Sequence, residues 1–66
     1  MNFQTLLSTF VGRKVEVTVP NTMYEGTLTS VQTGTIQVTE PPILYAPPVV
    51  VTITMGSIEL VRVLAS

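Results

Sequence analysis

Hydrophobic and polar residues alternate along much of the chain, in the period-two pattern of strands that bury one face. The first such segment has valine at every second position with polar or charged residues between, as Val15, Val17 and Val19 against Lys14, Glu16 and Thr18. Turn residues interrupt the pattern at Pro20-Asn21, Gln32-Thr33-Gly34 and Gly56-Ser57. We therefore predict an all-β chain with five strands, over residues 13–19, 23–31, 35–40, 49–55 and 58–64.

One segment near the N-terminus has helical periodicity instead. Its large apolar residues recur at the spacing of a single helical face, as Phe3, Leu6, Leu7 and Phe10. Asn2 suits the N-cap position and Gly12 a helix stop. The spacing predicts a helix over about residues 2–10, which is too short to be stable alone and is expected to lie across the open end of a barrel.

Glycine and proline mark two places where the strand geometry changes. Gly26 lies in the middle of the second strand, where glycine indicates a sharp bend or a close backbone approach. Two proline pairs, Pro41-Pro42 and Pro47-Pro48, flank a loop over residues 41–48. Because proline fixes φ, this loop is expected to be stiff and extended.

The fourth and fifth strands are apolar on both faces, unlike the first three. Val49-Val50-Val51 begins the fourth, and Leu60-Val61 and Val63-Leu64 make up most of the fifth. In a curled five-stranded sheet the chain itself buries only one face, so the second face is expected to be covered by another chain. The predicted interface residues are Val50, Thr52, Leu60, Val61, Arg62 and Val63.

Composition favours self-association and argues against catalysis. A chain of 66 residues buries only about 60% of its unfolded surface, and with no cysteine or histidine it has neither a disulfide nor a zinc site to compensate. Only 11% of the residues are charged, and the net charge of −1 lacks the basic footprint of a typical nucleic-acid binder. We expect one cytoplasmic domain over residues 1–66, with no signal peptide and no membrane span. Because His, Cys and Asp are absent and the four glutamates lie in separate segments, we expect no enzyme, no metal and no cofactor.

Two short motifs give the chain a family resemblance. The first runs from Phe10-Val11-Gly12 through the alternating valines to Tyr24-Glu25-Gly26-Thr27-Leu28, and the second is Ile53-Thr54-Met55-Gly56-Ser57-Ile58. In this order they resemble the Sm/LSm superfamily, which includes the bacterial host-factor RNA chaperone, and small Sm-like domains of unknown function from spore-forming bacteria and phage. The resemblance covers nearly the whole chain. It implies a short N-terminal helix followed by a strongly bent five-stranded antiparallel sheet that forms an open, SH3-like barrel.

The resemblance also implies a homo-oligomeric ring. In the superfamily, strand four of one subunit pairs with strand five of the next, which closes rings of about five to seven copies. The exposed loop residues Ile43, Leu44 and Tyr45 then form a contact surface for a protein partner or a second ring, or they fold back onto their own barrel. The sequence leaves both interpretations open.

The RNA-binding positions of the superfamily are not reproduced. Gln32 stands where the family motif has Asp, Thr35-Ile36 where its base-binding pair falls, and Met55 where Arg precedes the second glycine. The candidate nucleic-acid contacts are Gln32, Thr35 and Met55 by position, together with Arg13 and Lys14. We therefore expect a structural or interaction module with an unknown ligand, and as the alternative a ring that binds single-stranded RNA through non-standard pore residues.

The remaining polar candidates have a structural and a functional interpretation each. Arg13 and Lys14 are interpreted first as a solvated strand end and second as phosphate contacts on a ring face. Arg62 is expected in an intersubunit ion pair with Glu59 or Glu25, or else at a ring pore. Tyr24 shares the inward face of its strand, so packing is favoured over base stacking.

Overall fold

The computed structural model describes residues 2–64. Within them the chain forms one short helix and an antiparallel sheet of five strands, as the periodicity predicts. The elements are α1 (Phe3–Ser8), β1 (Lys14–Val19), β2 (Thr22–Gln32), β3 (Thr35–Glu40), β4 (Val49–Thr54) and β5 (Leu60–Val63). The strand order across the sheet is β4-β3-β2-β1-β5.

Helix α1 begins where the sequence predicts and ends earlier. The Asn2 side-chain oxygen accepts a hydrogen bond from the Thr5 backbone N–H at 2.7 Å, which is the expected N-cap. The helix stops at Ser8, two residues before the predicted end, and the chain continues in turns to Gly12, whose φ is +96°. Only Leu7 of the predicted apolar stripe is buried, because so short a helix presents little more than one turn to the sheet.

The core consists of the inward residues of the first four strands and one helical leucine. Its members are all apolar: Leu7, Val15, Val17, Leu28, Ile36, Val38 and Ile53. The alternation of valines in β1 is therefore a correct prediction of its buried face, with both Val15 and Val17 fully buried. No polar or charged residue among residues 2–64 is buried, so the side chains of this core contribute through the burial and packing of apolar surface.

The long strand β2 lies close against the backbone of β3 at Gly26. A Cβ built there would overlap the backbone oxygen of Thr39 and lie 2.9 Å from its carbonyl carbon. Further along the same pair of strands, the register shifts between Leu28 and Ser30, which is a β-bulge. Together these features explain why the mid-strand glycine signals a change in strand geometry.

Replacing Gly26 by alanine is expected to lower the free energy of unfolding by about 1–3 kcal/mol, because the added methyl group meets backbone that cannot rotate away. Gly56→Ala is the matched control, since no heavy atom lies within 4 Å of a Cβ at that glycine. Urea unfolding followed by circular dichroism measures both. Equal midpoints for the two variants would show that β2 and β3 can separate at Gly26.

The sheet does not close into a barrel. Strands β4 and β5 occupy its two opposite edges and share no ladder, although only five residues connect them. Residues Met55–Ser57 of that connection form a 3₁₀ turn, in which the Ile58 N–H bonds to the Met55 oxygen at 3.1 Å. For this reason β5 begins at Leu60, two residues later than predicted.

Candidate functional site

The hydrogen bonds of the β3–β4 ladder determine which backbone groups of β4 face its open edge. In an antiparallel pair, alternate residues direct both N–H and C=O to the partner strand, and the residues between direct theirs away. The Met55 N–H donates to the Gly34 oxygen at 2.9 Å, one step beyond the pair of Thr35 and Thr54. Met55 and every second residue before it therefore bond to β3. The residues between them, Thr54, Thr52 and Val50, direct their backbone groups to the open edge.

The same reasoning applies to the opposite edge of the sheet. The Leu64 N–H donates to the Lys14 oxygen at 2.9 Å, one step beyond the pair of Val15 and Val63. Val61 and Val63 therefore direct their N–H and C=O groups away from β1. Each edge thus offers a short row of backbone donors and acceptors to any strand that lies beside it.

Apolar side chains accompany these backbone groups on both edges. Val49 and Val50 on β4 and Leu60 on β5 are all more than half exposed. Val61 and Val63 are only partly exposed, because they pack against the core of their own chain. Within the predicted interface, Val50, Thr52, Leu60 and Arg62 therefore present side chains, and the two valines of β5 present backbone.

Arg62 has an ion-pair partner within its own chain. Its guanidinium Nη1 lies 3.2 Å from Oε1 of Glu16, the residue directly opposite it on β1. The Arg62 side chain is 66% exposed and the Glu16 side chain 17%. Glu59 and Glu25, the partners expected from the sequence, are not paired with it among residues 2–64, and the β1–β5 register that decides the partner cannot be read from spacing. A pair this exposed contributes little stability, on the order of 0–1 kcal/mol.

Three of the five candidate nucleic-acid contacts, Gln32, Thr35 and Met55, lie together at one end of the sheet. Gln32 and Thr35 face each other across the β2–β3 turn, and the backbone N–H of Met55 bonds to Gly34 inside that turn. All three side chains are uncharged. The structure therefore brings the positions together without supplying the charge that binds a phosphate backbone.

The two adjacent cations lie elsewhere. Lys14 is opposite Thr27, five residues along β2 from Gln32, which corresponds to roughly 16 Å of strand. The Arg13 guanidinium donates to the backbone oxygen of Leu64 at 3.1 Å, so it joins the start of β1 to the end of β5. Lys14 is exposed. This arrangement agrees with the interpretation of the pair as a strand end.

The proline-rich loop holds its apolar tip in solvent. Ile43, Leu44 and Tyr45 are 77%, 90% and 103% exposed, so the tip does not fold back onto the sheet. The Ala46 N–H donates to the Ile43 oxygen at 3.1 Å and closes the turn, while Leu44 has a φ of +58°. Leucine disfavours positive φ, so the turn at the tip has a backbone conformation that its own sequence does not favour.

A groove of about 250 Å³ lies at the base of this loop. Five of its lining residues are proline or apolar, and the remaining two are glutamates from β2 and β3: Pro41, Ile43, Ala46, Pro47, Val49, Glu25 and Glu40. The groove was not expected from the sequence, because Glu25 and Glu40 lie in separate segments of the chain. Glu40 precedes Pro41 directly, but only the strand register brings Glu25 to the loop.

No protein-family model, curated protein or solved structure matches this chain. Within residues 2–64, no three His, Cys, Asp or Glu side chains gather closely enough to hold a metal ion. Nor does that part of the chain contain a helix long and apolar enough to cross a membrane. The open sheet edges and the proline-rich loop are thus the features on which a function can be argued.

Proposed function

We propose that this chain is an Sm-like protein whose copies join edge to edge into a homo-oligomeric ring, and that the ring acts as a structural or interaction module. The observation that carries the proposal is the strand order, which leaves β4 and β5 at opposite edges of one sheet. A subunit with one free strand at each edge can pair head to tail, and the subunits form a ring when the rotation between neighbours closes on itself. The lack of cysteine suits a reducing compartment such as the cytoplasm.

The two edges are complementary in their backbone hydrogen-bonding groups and in their apolar side chains. On β4, Val50 and Thr52 direct backbone donors and acceptors outward, and on β5 Val61 and Val63 do the same. Pairing these edges satisfies hydrogen-bonding groups that otherwise template aggregation. Pairing also buries the exposed apolar side chains of the edge strands. The small number of charged residues favours this association, because few charges have to be removed from water.

Assembly also suits the small size of the core. Seven buried apolar residues form it, and a single core in a chain of this length rarely supplies more than about 3–5 kcal/mol. Since disulfides and zinc are excluded by composition, contacts between subunits are the remaining source of stability. The ring would carry one proline-rich loop per subunit, repeating the exposed tip Ile43–Tyr45 around one of its faces.

A module that contacts protein is better supported than one that binds RNA. Gln32, Thr35 and Met55 lie together but carry no charge, and the adjacent cations Arg13 and Lys14 lie apart from them. RNA affinity depends mainly on neutralised phosphates, so a ring with this distribution has little to bind with. The RNA-binding alternative rests on the resemblance alone.

Native mass spectrometry of the protein purified from its host tests the proposal. We expect one assembly whose mass is a whole multiple of 7.1 kDa, with about five to seven subunits per ring and no nucleic acid. A stable 7.1 kDa monomer at micromolar concentration would contradict the ring. Co-purified RNA, with binding to oligo-uridine that weakens steeply as salt rises, would instead favour the alternative.

A further inference from the structure

The loop tip is an exposed apolar projection, and the groove beneath it is an open apolar cleft. Both belong largely to one short segment of the chain. Ile43 and Ala46 line the groove, whereas the residues between them, Leu44 and Tyr45, point away from it and are almost fully exposed. Prolines restrain the backbone on both sides of the tip, and the tip side chains Leu44 and Tyr45 leave the groove of their own chain uncovered.

We propose that a second copy of this chain occupies the groove, with the two loops exchanged about a two-fold axis so that Tyr45 of each copy enters the groove of the other. When a projection and its receptor lie on the same segment, two identical copies can satisfy both at once by a two-fold rotation. A foreign partner would have to supply both a groove for Tyr45 and a projection for this groove. The second copy supplies them without further components.

The size of the groove agrees with a single aromatic side chain. Its volume, about 250 Å³, is below the roughly 300–1,000 Å³ typical of small-molecule pockets. Its walls are mainly proline and aliphatic residues, which suit the flat apolar ring of tyrosine. A buried tyrosine hydroxyl also needs a hydrogen-bond partner, and the carboxylates of Glu25 and Glu40 at the groove are strong acceptors for its O–H.

The loop is built to present its tip with little loss of conformational entropy. Pro41-Pro42 and Pro47-Pro48 fix φ on both sides, and the Ala46 N–H to Ile43 oxygen bond closes the turn between them. A backbone that is already held in one conformation before binding loses less freedom when the contact forms. Leu44, inside this closed turn, has the disfavoured φ of +58°.

The expected interface is small for one pair of copies and larger for a ring. One aromatic residue buries about 150–250 Å², so an exchanged pair of tips falls below the roughly 1,200 Å² of a standard interface. A single pair is therefore expected to dimerise weakly. If the proposed ring also exists, it repeats the contact once per subunit, and the high effective concentration makes two rings associate face to face. The loop contact does not itself require the ring.

Photocrosslinking between isotopically distinct copies tests the exchange. Tyr45→p-benzoylphenylalanine protein is mixed at equal concentration with ¹⁵N-labelled wild-type protein, irradiated, and digested for mass spectrometry. We expect crosslinks from position 45 to labelled peptides that contain Glu25 or the segment 40–49. Crosslinks only within one copy, only to the edge strands, or to no copy at all would overturn the proposal.

Mass measurement of matched variants separates the loop contact from the ring. Tyr45→Ala is expected to halve the assembly mass, and the control Met23→Ala, which removes another exposed apolar side chain, is expected to leave it unchanged. In protein whose β4 edge is blocked by Thr52→Pro, the loop dimer is expected to form only well above micromolar concentration, and Tyr45→Ala is expected to weaken it at least about tenfold in Kd. If Tyr45→Ala changes the mass in neither background, the loop exchange is wrong and the ring is unaffected. If the edge-blocked protein still dimerises through Tyr45 while the wild type shows no ring, the ring is wrong and the exchange stands.

Discussion

Thr52→Pro is expected to convert the assembly into a folded monomer of about 7.1 kDa at micromolar concentration. The backbone N–H of Thr52 faces the open edge of β4, so proline removes a donor that the subunit itself does not use. Edge strands tolerate proline when the missing N–H points outward. A neighbouring strand, however, loses that hydrogen bond and meets the proline ring in its place. Light scattering measures the mass, and circular dichroism shows whether the sheet is retained.

Two further variants test whether proline at position 52 acts through the edge. Thr52→Val keeps the N–H and changes only the side chain, so it should assemble as the wild type does. Val51→Pro moves the substitution by one residue, where the N–H bonds to β3, and is expected to cost about 3 kcal/mol or more and to unfold the chain. A Thr52→Pro protein that remains fully assembled would exclude the β4 edge as the subunit interface.

The strand pattern was predictable because it depends on local alternation. Val15 and Val17 identify the buried face of β1 without knowledge of any partner strand, and Pro20-Asn21 identifies the turn that follows. Asn21 adopts a φ of +68°, a conformation that asparagine tolerates better than most residues. The apolar second faces of β4 and β5 were predictable for the same reason. Three consecutive valines place apolar side chains on both faces of β4, and Leu60 does so on β5, where it is exposed.

The groove and the Arg62 ion pair were not predictable, because both depend on strand register. Glu16 and Arg62 are 46 residues apart in sequence and meet only because β5 pairs with β1. Glu25 reaches the proline-rich loop only through the pairing of β2 with β3. The helix end was missed for a different reason: Phe10 continues the apolar spacing, but the chain has already left the helix at Ser8.

The exposed loop tip had two interpretations in the sequence, and only its geometry separates them. Apolar side chains between prolines are equally typical of a loop that folds back and of a loop that contacts a partner. The exposure of Leu44 and Tyr45 agrees with the second interpretation. The tip therefore belongs to the surface of the molecule and contributes no buried side chain to its core. The contribution of each site to stability can be measured from the free energy of unfolding.

Leu28→Ala is expected to lower the free energy of unfolding by about 2–5 kcal/mol, most of the stability that so small a core supplies. Leu28 is 1% exposed at the centre of the sheet, so its loss leaves a cavity that the packed valines around it cannot fill. Leu44→Ala removes the same atoms from a side chain that is 90% exposed and should leave the unfolding free energy of the monomer unchanged. Both changes are best measured by urea unfolding in the Thr52→Pro background, because there assembly does not add to apparent stability. A destabilisation of similar size at Leu44 would mean that the loop tip packs on the sheet in solution, and would remove the basis for the proposed exchange.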